Sequence, residues 1–160
     1  MAETGSFLIN NDVLKKYCGK EPNIVIPDSV TNIGDWAFSN YTSLKSITIP
    51  DGVTSIGDHA FCVCTSLKSI TIPDSVTSIE GGAFYSCTNL ESITIPDSVT
   101  SIGDSAFEGC TDLISITIPD SVTIFGEGVF CDCYRVTVHA PAGSEAERYA
   151  RDHDITFVAE

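Results

Sequence analysis

Positive charge is scarce in this chain. Eight Lys and Arg residues stand against 22 Asp and Glu, so its 160 residues carry a formal net charge of −14 and a pI near 4.3. Such a surface repels nucleic-acid phosphates and anionic lipid headgroups, which argues against DNA, RNA and membrane-surface partners. Long apolar runs are missing too. No stretch approaches the ~20 residues that a membrane helix needs, so no membrane insertion is expected. The opening MAETGSFLINN lacks the basic segment and apolar run of a signal peptide. That leaves a cytosolic protein or one whose leader has been replaced, with MAETGS reading as partly vector-derived. Phosphate-binding glycine loops are absent. Histidine is limited to His59, His139 and His153, in three unrelated contexts, with no nucleophile or carboxylate at an interpretable spacing. A catalytic site is not expected, nor a cofactor.

What the chain has in abundance is repetition. TIPDSVTSI occupies residues 71–79 and returns at 94–102, with close variants at 25–33, 48–56 and 117–125. The step is always 23 residues, and units begin at Ile24, Ile47, Ile70, Ile93 and Ile116. A fixed period in the twenties indicates a solenoid whose units stack their apolar edges on their neighbours. In the second unit Ile47 and Ile49 flank Thr48, the alternation of a short strand with one buried face. Pro50-Asp51-Gly52 reads as a turn, and Val53 to Ile56 as a second extended piece. Asp58 is placed to cap a helical turn carrying Ala60, Phe61 and Cys64 on one side, and Leu67 leads into the next strand. The fold expected is a β-rich solenoid of five 23-residue units with short parallel strands and short helical turns, capped at both ends. Residues 1–23 read as an N-terminal tag and cap with a short hairpin around Asn10-Asn11-Asp12, residues 24–138 as the solenoid, and residues 139–160 as a helix–strand cap. In that cap Ser144 and Glu147 fit a capping box, Ala146, Tyr149 and Ala150 share a helix face, and Ile155 to Val158 form a closing strand.

Seven cysteines suggest a disulfide framework until they are aligned. Cys64, Cys87, Cys110 and Cys133 form one column, Cys62 and Cys131 a second, and Cys18 alone lies outside the repeats. Register explains them better than pairing. Zinc binding by Cys62-Val63-Cys64 and Cys131-Asp132-Cys133 is disfavoured, because the pairs lie three units apart, ~14 Å at the strand spacing. They read as small buried hydrophobes, and no metal site is expected. Asp28, Asp51, Asp74, Asp97 and Asp120 form an acidic column, read as turn residues, with calcium binding as the functional alternative.

The unit IxIPxxVxxIGxxAFxxCxxLxx resembles the BspA-like, or Treponema-type, leucine-rich repeat, over about Phe7 to Val158, and PAGSEAERYARDHDITFV is similar to that family's closing segment. The resemblance implies a bacterial or protist protein, cell-surface or secreted, acting in adhesion and protein binding, with host extracellular matrix proteins such as fibronectin and fibrinogen as partners. It supplies no catalytic residues. Tyr41, Glu80-Gly81, Phe125 and Val129 depart from the pattern.

The expected function is a non-catalytic protein-binding module of a bacterial adhesin; the alternative is a structural spacer with no ligand of its own. The candidate surface has two parts. One is a hydroxyl ladder of Ser46, Thr48, Ser69, Thr71, Ser92, Thr94, Ser115 and Thr117 on what is expected to be the concave sheet. Its bland reading is ordinary strand propensity, and a weaker one likens it to ice-binding threonine arrays. The other is the set of positions that change between copies: Lys45, Lys68, Glu91 and Ile114 in one column, with Trp36 and Tyr85 as aromatic anchors.

Overall fold

The computed structural model describes residues 2–4 and 6–160, the first three by their backbone alone. In chain order the elements are β1 Ala2–Thr4, β2 Phe7–Asn10, β3 Val13–Tyr17, β4 Asn23–Val25, β5 Asn32–Ile33, β6 Ser46–Thr48, β7 Ser55–Ile56, β8 Ser78–Ile79, β9 Ser92–Thr94, β10 Ser101–Ile102, β11 Ser115–Thr117, β12 Ile124–Phe125, β13 Thr137–Ala140, α1 Glu145–Asp152 and β14 Thr156–Ala159.

Each unit contributes two extended pieces. In β6, Ile47 is buried between exposed Ser46 and Thr48. Pro50 ends the strand and its carbonyl accepts the Val53 N–H at 3.1 Å, closing the turn that leads to β7. The second pieces stack in parallel, Ile33 beside Ile56 and Ile56 beside Ile79. They form an eight-stranded sheet of order β1-β2-β3-β5-β7-β8-β10-β12. The first pieces do less well. β4 pairs with β6, and β14-β13-β11-β9 form a separate sheet, but residues 69–71 contribute only a bridge from Ser69 to Ser92. The hydroxyl ladder expected to run unbroken is therefore interrupted between the second and third units. The break coincides with Lys45 and Lys68, like charges one unit apart, which disfavour close pairing. Pairing resumes where Lys68 meets Glu91 at 3.3 Å.

The turn segments correct a second expectation. They are not helical; the only α-helix among the described residues is α1. Two residues in each unit adopt left-handed backbone: His59 (φ 53°) and Val63 (φ 60°) in the second, and Ser105 (φ 53°) and Gly109 (φ 73°) in the fourth. A left-handed residue every four positions stops a helix from propagating. Alternate N–H groups face different partners as a result. Ala60 and Cys62 donate within the unit, to Gly57 and His59, while His59, Phe61 and Val63 donate to Gly81, Ala83 and Tyr85 of the next. The cap proposed for Asp58 is also displaced: the equivalent Asp35 accepts the backbone N–H of Asp58, one unit on, at 3.0 Å.

The core is a set of columns. Phe38, Phe61, Phe84, Phe107 and Phe130 stack as near-parallel rings with centroids 5.2 to 5.8 Å apart; offset stacking of this kind is worth about 0.5–1.5 kcal/mol per pair beyond burial. The cysteine column does more than fill space. Cys64, Cys87, Cys110 and Cys133 direct their thiols at the carbonyls of Phe38, Phe61, Phe84 and Phe107, one unit back, at 3.0–3.3 Å. Tyr41, which departs from that column, has no full unit behind it. Its hydroxyl donates instead to the Glu21 carbonyl at 3.0 Å. Units approach so closely at the glycine column that a Cβ on Gly103 would stand 2.5 Å from the Gly81 nitrogen and 2.7 Å from the Glu80 carbonyl carbon.

Both ends imitate the repeat. β2 and β3 form a hairpin whose Asn11 (φ 49°) and Asp12 (φ 60°) are left-handed, and β1 adds a third strand to it. β3 then stacks on β5 with Leu14 beside Ile33, and the Tyr17 ring lies 5.7 Å from Phe38. The hairpin is a degenerate sixth unit that the 23-residue pattern does not reveal. At the other end β13 spans residues 137–140 beside β11, and the closing strand runs one residue later than expected, over Thr156–Ala159. Ser144 accepts the Glu147 N–H; the Glu147 carboxylate bonds Gly143. Tyr149 stacks on Phe125 at 4.9 Å and meets Phe130 edge-on. Its hydroxyl takes the Val129 N–H.

Phe84→Ala removes the middle ring of the stack and is expected to cost about 3–5 kcal/mol, measured as a loss in urea unfolding free energy. Gly103→Ala is expected to destabilise as well, although alanine is elsewhere the lesser entropic burden, because the neighbouring backbone cannot withdraw.

Candidate binding surface

The sequence-predicted residues fall into two groups that the fold keeps on different segments. The strand-column group is built by β6, β9 and β11 and the strand-like residues 69–71. Ser46, Thr48, Ser69, Thr71, Ser92 and Thr94 are exposed, while Ser115 and Thr117 are half-buried. Register places Val25 beside Thr48 and His139 beside Thr117, so the ladder of hydroxyls ends on an exposed valine on one side and a half-buried histidine on the other. Its break at the third unit opens two shallow grooves. One, of about 420 Å³, is lined by Ser69, Thr71, Ser92 and Thr94; the other, of about 230 Å³, by Thr48, Thr71 and Asp51. Next to this column Lys45, Lys68, Glu91 and Ile114 are all exposed, and backbone bonds from Glu91 to Lys68 and from Ile114 to Glu91 hold the last three in register.

The second group sits on the turn segments. Trp36 is left-handed, at φ 61°, and 54% exposed. For a bulky side chain that conformation costs on the order of 1–2 kcal/mol. Its ring stacks on His59 at 4.2 Å and 6°, and His59 lies 6.3 Å from Tyr85. Trp36, His59, Gly82, Ser105 and Gly128 are the same position in successive units, and all five have φ between 53° and 62°. The change of residue from copy to copy conceals a fixed backbone requirement in this column. Its two glycines were the signal that the backbone there is left-handed. Gly82 has a steric duty besides, since a Cβ there would meet the His59 ring at 2.5 Å. His59 joins Trp36 and Tyr85 into one aromatic strip, of which the last is half-buried.

Cysteine placement is partly as read and partly not. All seven are free; Cys62, Cys64, Cys87, Cys110 and Cys133 are buried, but Cys18 and Cys131 are exposed. Cys62 lies between Ser39 and Tyr85 in its column, whereas Cys131 ends that column and so stays open to solvent. Burial pushes the Cys87 thiol from its ordinary 9.0 up to about 12 and the Cys133 thiol up to about 11, and raises Cys64 and Cys110 as well. The only group of three metal-ligating side chains among the described residues is Glu108, Cys131 and Asp132, within 4.8 Å of one another. The column of Asp28, Asp51, Asp74, Asp97 and Asp120 is exposed throughout and forms no such group.

Comparison with known proteins gives a consistent result. Residues 8–137 match the family described as the BspA type leucine rich repeat region, in six copies. Among solved structures, a Treponema pallidum leucine-rich repeat protein superposes with a TM-score of 0.81 at 31% identity, over 86% of this chain and 70% of its own. A leucine-rich cell surface protein of Faecalibacterium prausnitzii is 30% identical with a TM-score of 0.55, over 90% of this chain and 55% of its own. The pneumococcal vaccine antigen PcpA shares the fold, with a TM-score of 0.75 at 20% identity, over 96% of this chain and 45% of its own. No curated protein matches the chain significantly.

Three outcomes follow from this geometry. At pH 8 a thiol reagent is expected to titrate Cys18 and Cys131 in the native protein and the other five only after denaturation. The buried thiols have folded pKa values above their unfolded 9.0, so their stabilising effect is complete below pH 9. It is lost as pH rises toward 11 and 12, and the urea midpoint should fall across that interval. At position 36, Trp36→Gly is expected to be more stable than Trp36→Ala by about 1 kcal/mol, the reverse of the usual order, because only glycine escapes the left-handed penalty; paired urea titrations read it directly.

Proposed function

The chain belongs to the BspA-type leucine-rich repeat family, and on that premise we propose that it is a non-catalytic protein-binding module of a bacterial cell-surface or secreted adhesin. The observation that carries this reading is Trp36. A large aromatic ring is held in strained backbone, stacked on His59 and more than half open to water. The left-handed backbone is common to this position in all five units, so what sets Trp36 apart is its exposed ring. Exposed, rigid aromatic rings are also the side chains that contribute most at protein interfaces. The strand column supplies the rest of the contact as a broad uncharged hydroxyl surface, and Ile114 supplies an apolar residue where its counterparts are charged. The description of the Faecalibacterium protein as cell-surface supports the localisation, and the adhesion role of the resembled family points to an extracellular matrix protein as partner. Distributed contact along a solenoid face needs no single decisive residue.

The test is binding to immobilised fibronectin and fibrinogen at low and physiological salt, beside a variant carrying Trp36→Ser, Tyr85→Ser and Ile114→Lys. Saturable binding that survives physiological salt and weakens at least tenfold in the variant is the expected outcome. Absence of binding at both salt concentrations would assign the chain to a spacer role instead.

A further inference from the structure

We propose that the open edge of β12 is a second docking site, which takes an extended basic peptide by strand addition. This site is separate from the strand column and the aromatic strip, and does not depend on their function.

The inference starts from the hydrogen bonds that join successive units. In the interior, the carbonyl of Thr100 accepts the Thr123 N–H at 3.1 Å, the carbonyl of Ile102 accepts the Gly126 N–H at 2.8 Å, and the Ser105 N–H donates to the Glu127 carbonyl at 2.8 Å. One unit further on, the equivalent groups are the Thr123 and Phe125 carbonyls and the Gly128 N–H. Among the described residues none of these three has a backbone partner. β12 is the last strand of its sheet, so these groups present an acceptor, an acceptor and a donor in the spacing by which every earlier unit receives its successor. An edge of this kind is a template for another strand.

The edge is also accessible. α1 touches this end through Tyr149, which stacks on the Phe125 ring and meets Phe130 edge-on, while an open groove of about 710 Å³ remains between the helix and the 123–128 segment. Ile124, in the middle of the edge, is 63% exposed and gives an incoming chain an apolar contact. Charge selects the occupant. Glu127, Glu145 and Asp152 line the groove, and the one arginine there, Arg148, is already bound to Glu145 at 2.9 Å. A strand bearing Lys or Arg on its alternate residues complements this lining while its backbone bonds the edge. A second copy of the chain, itself at −14, is opposed by the same charge.

The probe is a fluorescently labelled nine-residue peptide of alternating Lys and Val, followed by anisotropy at physiological salt. Beside it go the Glu–Val counterpart and a Lys–Val peptide N-methylated at alternate residues, which keeps the charge but cannot donate along the edge. The protein is compared with an Ile124→Lys, Glu127→Lys double variant whose fold is checked by its melting temperature. Saturable binding of the Lys–Val peptide, at least tenfold weaker after N-methylation and in the variant, and none by the Glu–Val peptide, is the expected result. Equal binding of the methylated peptide would reduce the effect to bulk charge and overturn the proposal. So would an unchanged affinity in a folded variant, or no saturable binding at all. A dimer in sedimentation velocity that the variant dissolves would show the edge occupied by a second copy and overturn it as well. Should the double variant unfold, the methylated and unmethylated peptides on the native chain decide alone.

Discussion

Everything in this molecule depends on the hydrogen bonds that pass from one unit to the next at a fixed offset. The N–H groups of Thr77, Thr100 and Thr123 each reach the carbonyl of the threonine one unit earlier, while those of His59, Phe61 and Val63 reach forward. Bonds in both directions, on two sides of each unit, leave no freedom to slip. Once they form, each side chain stands beside its own copy. That is why phenylalanines stack as parallel rings and why a cysteine thiol meets the equivalent carbonyl four times.

The register also dictates what the ends must do. An interior unit leaves its aromatic face and its backbone groups for a successor, and a terminal unit has to satisfy or expose them. The N-terminal hairpin answers with Leu14 and Tyr17 in the isoleucine and phenylalanine columns. The C-terminal helix answers with one tyrosine, whose ring covers Phe130 and Phe125 and whose hydroxyl takes a backbone N–H. The hairpin continues the ladder, whereas the helix covers the rings and leaves the outer backbone groups of β12 without partners among the described residues.

Most of the architecture was legible in the sequence because it is written in side-chain periodicity. Ile47, Ile49, Val53 and Phe61 recur in all five units, Ile56 and Leu67 in the first four, and burial follows recurrence. What was missed lies in the backbone. Asp58, Ala60, Phe61 and Cys64 have the spacing of a helical turn, yet the conformation is set by the residues between them: a left-handed His59 and a left-handed Val63 redirect alternate N–H groups to the next unit. The glycines at 82 and 128 carried that information, but tryptophan, histidine and serine in the same column hid it. Tyr85 and Cys131 show the matching limit at the surface. They share a column, but exposure depends on the neighbour one unit along, and Cys131 has none.

The direction of the inter-unit bonds has a mechanical consequence. They run roughly along the axis of the stack, so a pull on its two ends loads successive interfaces in series, and each carries the full force. Extension should then proceed by opening one interface at a time at modest load, as in a zipper, rather than by a single rupture. A pull across the stack instead loads the same bonds sideways and in parallel, and meets far greater resistance. For a rod held at one end, the angle of the tether would decide whether it behaves as a compliant spring or a stiff strut.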